Sequence, residues 1–374
     1  MRDPRMTSLA ELLVTYSCGV GEGEKVLIEA LDTPESFIME LISAVRRAGG
    51  LPFVSLRQNR VIKHLYQQCT EAQMQEYGDI ELYRMNKMNA YIGVRGTLNF
   101  AELSDVQQER LRLVNRLYFK PVHLEQRVRH TKWVVLRWPT PSMAQQANMS
   151  TDAFEDFFFS VCDLDYSRLS RAMDALVSRL ENTDRIQLKA PSTDLSFSIK
   201  SIPIKKCDGR FNIPDGEVFT APVKESVQGF IQFNAPTLHQ GFSFNRISLR
   251  FANGKVVEAT ASSTEETERL NAILDSDPGA RYLGEVAFGL NPRITRPIRD
   301  ILFDEKIAGS VHVALGQAYE EADNGNRSEI HWDLLRSLTG KYGGGEVLFD
   351  GTVIQRDGVF VVSDLKGLNP ERLL

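Results

Sequence analysis

Four cysteines in 374 residues (Cys18, Cys69, Cys162 and Cys207) lie far apart and form no Cys-x-x-Cys pair. Neither a cysteine-ligated zinc site nor a disulfide scaffold is expected, whereas a reducing, cytoplasmic setting is. No window of about 18 apolar residues occurs, so no membrane span is expected. The N-terminal stretch MRDPRMTSLAELLVTYSCGV lacks the unbroken apolar core of a signal peptide. Basic blocks are missing as well: the net charge is −5 and the pI about 5.8, which makes nucleic acid a poor default partner. The glycine-rich turn GVGEGEK precedes a strand-like run instead of following one, so it is not a dinucleotide fingerprint. Internal repeats and low-complexity segments are absent.

What is there is ordinary globular material, 42% hydrophobic and 25% charged, long enough for two domains and a large core. The first half alternates strand and helix patterns. EKVLIEA reads as a strand. TPESFIMELISAVRRAGG reads as a helix with Thr33 as N-cap, Pro34 at its first position and Gly49 as its stop; Ile38, Leu41, Ile42 and Val45 share one face. LPFVSL, NAYIGV and KWVVLRW read as further strands, giving βαβ units and a mostly parallel sheet. A helical run from Ser150 and Thr151, both candidate caps, ends this half. Past residue 185 the texture turns β-rich, with an Asn253-Gly254 hairpin signal and Asp-Gly turns at 350 and 357, interrupted by the helix STEETERLNAILDS. The expected architecture is an α/β domain over 1–185 and a β-rich α+β domain over 186–374.

Chemistry-bearing residues concentrate in the second half. Glu217 follows a Pro-Asp-Gly turn inside an apolar stretch, and Glu285 sits in YLGEVAFGLNP. A glutamate in a Val/Ala/Phe run is expensive to bury unless paired or coordinated. GSVHVALGQAY offers His312 with Tyr319 seven residues on. In a helix the two would share a face about 10 Å apart; in a strand followed by a turn they approach more closely. SEIHWDLL, read as a strand, points His331 and Asp333 to one face and Trp332 to the other. Each has a plainer reading: His312 as a hydrogen-bonded core residue, Glu217 as a turn stabiliser, Tyr319 as core or interface, His331 and Asp333 as an ion pair. His64, His123, His130 and His239 stand in polar, irregular contexts and receive no role. Together, two Glu, two His and one Asp make a hard-to-borderline N/O donor set without sulfur. That set suits zinc, cobalt or manganese, and its size suits two ions.

NIPDGEVFTAPVKESVQG, RYLGEVAFGLNP, ILFDEKIAGSVHVALGQAY and SEIHWDLL, in this order, resemble the aminopeptidase T family of dinuclear metallopeptidases; VVLRWPTPSMAQQANMSTDAFEDFFFSVCDLDY extends the similarity into the first half. The resemblance implies metal ligands at Glu217, Glu285, His312, Tyr319, His331 and Asp333, with Glu285 and Tyr319 also catalytic. It implies two divalent ions per chain, a two-domain homodimer, and release of N-terminal residues from peptides with a free N-terminus. Glu285 is assigned as bridging ligand, and Glu305, close in sequence to His312, is the one suggestion for a general base. Lys306 departs from the pattern, since some members carry Asn after the Asp-Glu pair; a cation there neutralises charge or stays solvated. The competing reading is a mononuclear iron(II) dioxygenase of a hydroxylated pyridine, for which two His and one carboxylate would suffice.

Overall fold

The structure is a computed structural model that describes residues 3–239 and 241–374. The chain divides into two compact units, Met1–Asp163 with Gly209–Ile213, and Leu164–Asp208 with Pro214–Leu374.

In the first unit, strands Lys25–Leu31, Leu51–Arg57, Ala90–Arg95 and Lys132–Arg137 form a parallel sheet, extended by the two-residue strand Asn212–Ile213. The order places Lys25–Leu31 between Leu51–Arg57 and Ala90–Arg95, and every pairing is parallel. The helix expected after the first strand spans Glu35–Arg47 and buries Ile38, Leu41 and Val45. It begins one residue later than expected. Pro34 is its N-cap, while the Thr33 hydroxyl donates to the Leu31 carbonyl instead of capping. Gly49, at φ +78°, stops it in the left-handed conformation that glycine adopts without a Cβ penalty.

EKVLIEA reads as an apolar run, yet its Glu29 is only 2% exposed and anchors a polar cluster. Arg95 donates to Glu29 at 2.7 Å and Tyr91 at 2.8 Å, and Arg57 lies at 3.1 Å. His123, also buried, lies 3.0 Å from the Tyr118 hydroxyl. Burial alone would raise the Glu29 carboxyl, but the Arg95 and Arg57 charges outweigh it and hold it at about 2. Burial pushes the His123 imidazole down to about 3, against the pull of Glu29. Both folded-state values lie below the ordinary 4.5 and 6.5. In acid, therefore, the unfolded chain takes up protons that the folded chain refuses. This stability is present in full above pH 6.5 and is lost as pH falls through 6.5 toward 2, at roughly 1.4 kcal/mol per pH unit and proton. Urea denaturation at a series of pH values should show a midpoint falling from pH 7 to pH 4. His123→Gln should flatten the part of the slope above pH 4.5; an unchanged slope would remove His123 from the account.

The second unit contains an eight-stranded antiparallel sheet running from Lys255–Thr260 to Val359–Phe360 and a five-stranded antiparallel sheet described below. The three turn signals are realised. Asn253-Gly254, Asp350-Gly351 and Asp357-Gly358 all have positive φ at both residues, the geometry a two-residue hairpin of type I′ demands. Ser150 and Ser263 cap their helices by accepting from Ala153 and Glu266 amides. The division at Asp163 precedes the texture change at 185 because helix Tyr166–Glu181 packs with the second unit. The Asp215 amide donates to the Tyr166 hydroxyl at 3.1 Å, and Lys206 reaches the Ser170 carbonyl and Asp174. The composition at 185 marks a change of secondary structure, not of packing partner. Among the described residues no helix is long and apolar enough to cross a membrane.

Candidate metal centre

Four strands of the five-stranded sheet carry the residues singled out by the sequence: Glu217–Thr220, Leu283–Gly289, Ser310–Gly316 and His331–Ser337. Residues paired across a sheet share a face. Asp333 pairs with Ala314, which pairs with Glu285; His331 pairs with Gly316; His312 pairs with Ala287; Glu217 pairs with Gly289. All five donors therefore emerge on one face, and each stands beside an alanine or glycine that leaves room for convergence. Trp332 faces the other way, 3% exposed, against His239 and Phe244 at ring distances of 4.4 and 5.1 Å.

Gly289 brings in a second layer. A Cβ at this position would lie 2.2 Å from the Ile307 carbonyl oxygen and 2.9 Å from that of Glu305, so only glycine lets that loop cross the donor face. Asp304 fixes the loop, accepting from the Ile298 and Arg299 amides at 2.6 and 2.8 Å. Glu305 and Lys306 are thereby carried onto the donors.

Two groups of three result. Ligand atoms of Glu285, His331 and Asp333 lie within 4.8 Å of one another, and so do those of Glu217, Glu305 and His312. The groups adjoin: His312 Nε2 is 3.4 Å from Glu285, 3.7 Å from Glu217 and 3.9 Å from Asp333. His331 Nε2 is 3.3 Å from Glu285 and 3.4 Å from Asp333, while its Nδ1 is 2.8 Å from the Gln317 carbonyl oxygen. A proton on Nδ1, donated to that carbonyl, leaves Nε2 as the donor aimed at the carboxylates, the arrangement a metal-bound imidazole uses. Tyr319 lies three residues past the end of the His312 strand Ser310–Gly316, at the N-cap of the short helix Glu320–Ala322, so the two share no helix. Its ring stands 4.6 Å from that of His331 and the residue is 46% exposed, not core.

Burial would lower both imidazoles, yet the His312 ring is pushed up to about 9 by its bond to Glu285 and the charge of Glu217. The His331 ring is pushed up to about 11 by Asp333 and Glu285. Burial would raise the Glu285 and Asp333 carboxyls, but their histidine partners hold both below the ordinary carboxylate range. Burial raises the Glu305 carboxyl to about 8, with Lys306 opposing and Glu217 assisting. The field is thus strongly negative and attracts positive charge from any source. Two buried atoms in it, Glu217 Oε2 and His312 Nδ1, have no hydrogen-bond partner. Uncompensated buried carboxylate is costly, and this donor set fits divalent cations of the hard-to-borderline kind.

Sequence reasoning missed Asp215 and left Glu305 only as a suggestion. Lys306, which could have stayed solvated, is instead 1% exposed, its Nζ 2.5 Å from Glu217, 2.8 Å from Glu305 and 3.5 Å from Asp215. Cys207 also arrives here, since its strand Lys205–Cys207 pairs with the Glu217 strand and its sulfur groups with Asp215 and Glu217. The absence of Cys-x-x-Cys spacing could not reveal a neighbour across a sheet. Burial and the nearby Glu217 push this thiol well above its ordinary value.

Known proteins match parts of this chain. Aminopeptidase T of Thermus aquaticus is 35% identical over 177 residues, 40% of this chain and 42% of that protein. Aminopeptidase 2 of Geobacillus stearothermophilus is 29% identical over 275 residues, 60% and 62% of the two chains. The matched segments thus span under two-thirds of these relatives' own lengths. The solved structure of wild-type AmpT from Thermus thermophilus superposes with a TM-score of 0.79 at 24% identity, covering 96% of this chain and 99% of that one. That of 2,5-dihydroxypyridine dioxygenase from Pseudomonas putida KT2440 gives a TM-score of 0.63 at 13% identity, over 96% and 98%. At those identities both structures speak for the fold alone. The profile of one family, described as thermophilic metalloprotease (M29), matches residues 2–360, and with that span this chain belongs to the thermophilic metalloproteases of the M29 family.

Proposed function

We propose that the chain is a metal-dependent aminopeptidase whose second unit holds two divalent ions, drawn from zinc, cobalt and manganese, and hydrolyses the N-terminal peptide bond of peptides. The observation that carries this reading is the convergence of Glu217, Glu285, His312, His331 and Asp333 on one sheet face, with Glu305 added from the loop.

In this reading Glu285, His331 and Asp333 would hold one ion, and Glu217 and His312 the other with Glu305 beside them; Glu285 lies between the groups, within 3.4 Å of His312. Tyr319, beside His331, borders the site and completes the proposed ligand set. Bound divalent ions supply Lewis acidity and a water of lowered pKa. The protein's own groups do the rest. The Gln317 carbonyl fixes the His331 tautomer. Glu305, with a carboxyl raised toward neutrality, can accept a proton from water and return it to the departing amine. The remaining carboxylates favour a protonated or coordinated substrate amine, which is why a free N-terminus is expected. The first unit is assigned packing, substrate access and dimer contacts. Its edge strand exposes Leu51, Phe53, Val54 and Leu56, an apolar strip that a second copy would cover. The free, mostly buried cysteines accord with a reducing cytoplasm.

Aminoacyl amides and short peptides, free or N-acetylated, are the substrates to assay. Chelator-treated protein should be inactive, and zinc, cobalt or manganese should restore release from free N-termini only. Full activity after metal stripping, or equal cleavage of acetylated peptides, would sink the reading.

A further inference from the structure

Lys306 touches one of the two ligand groups and not the other. Its Nζ lies 2.5 Å from Glu217 Oε1 and 2.8 Å from Glu305 Oε1, and both residues belong with His312. Its position is built in. The Asn291 amide donates to the Lys306 carbonyl at 2.8 Å, the Asn291 side chain donates to the Asp215 carbonyl at 2.9 Å, and Asn291 is wholly buried. These bonds fix the backbone that carries Lys306, and its side chain, 1% exposed, is held by its carboxylate partners.

A carboxylate held at Oε1 by an ammonium still offers Oε2, and Glu217 Oε2 is the atom left without a partner, 3.7 Å from His312 Nε2. A divalent ion can therefore sit there together with Lys306, but it does so against a fixed positive charge and on carboxylates that already share their density. Resting on the metal-site reading above, we propose that Lys306 is a tethered cation that makes the two metal positions unequal. The Glu285–His331–Asp333 position holds its divalent ion tightly, while the Glu217–Glu305–His312 position holds its ion weakly and exchangeably.

Two effects oppose each other at Lys306. Its hydrogen bonds orient Glu217 and Glu305, and loss of such an orienting contact lowers metal affinity about 10- to 100-fold. Its charge repels a dication one carboxylate away, and in a site this dry that repulsion is the larger effect. Removing the charge therefore tightens the second ion.

Metal-stripped parent protein, dialysed against zinc at graded free concentrations with bound zinc counted per chain, should bind in two classes at least about 100-fold apart. Lys306→Met should bring the weaker class at least about 10-fold closer to the tight one and leave the tight class within about 3-fold. Lys306→Arg, keeping the charge, should retain the parent's separation. Should Lys306→Met fail to fold by circular dichroism, Lys306→Gln, which keeps a hydrogen-bond donor without charge, should show the same tightening. Two equal classes in the parent, or a second class in the neutral variants that is unchanged or weaker, overturns the inference while leaving the metal site intact. A parent chain that binds no zinc overturns the site reading itself, and the inference with it.

Discussion

His331→Ala and Asp333→Ala are expected to lose metal and peptidase activity while keeping most of the fold, and Trp332→Ala to do the reverse. The three residues are consecutive, and strand alternation alone separates them. His331 and Asp333 stand on the donor face, 3.4 Å apart, with His331 3.3 Å from Glu285 and Asp333 3.9 Å from His312. Trp332 is 3% exposed on the opposite face, with its indole nitrogen donating to Thr237 at 3.2 Å. Truncating a buried tryptophan costs about 3–5 kcal/mol through lost contacts and the cavity left behind. Calorimetry with metal analysis on the three variants separates the outcomes. Were His331 and Asp333 only a structural ion pair, breaking it would cost about 3–5 kcal/mol of stability and leave metal content at the parental level.

Glu305→Gln should lower kcat by roughly 10²- to 10⁴-fold, the range for loss of a positioned proton-transfer group, with the tightly held metal retained. Burial raises the Glu305 carboxyl to about 8, whereas histidine partners hold Glu285 and Asp333 low. The substitution preserves shape and the contact to Lys306 through the amide oxygen. A kcat within about 3-fold of the parent would remove Glu305 from proton transfer.

What could be read from the sequence was whatever depends on near neighbours along the chain. Period-two alternation separated His331 and Asp333 from Trp332, and the Asn-Gly and Asp-Gly pairs marked hairpins because both positions need positive φ. The serine cap at 150 followed from local amide satisfaction. Where local signals competed the reading slipped, as at Thr33, whose hydroxyl turned back to the preceding strand's carbonyl. What needed long-range neighbours stayed hidden. The pairing of Cys207 with Glu217 is one case. The crossing of the 305–307 loop over Gly289 and the burial of Lys306 among three carboxylates are others. Glu29 was lost in an apolar run for the same reason, since its partners Arg57 and Arg95 come from neighbouring strands.

The most direct test of the metal site is a count of tightly and weakly bound ions per chain on purified protein, by elemental analysis after dialysis in excess zinc, cobalt or manganese. Two ions per chain, falling to one or none in Asp333→Ala, is the expected result. A single iron per chain, or no bound metal at all, would contradict it.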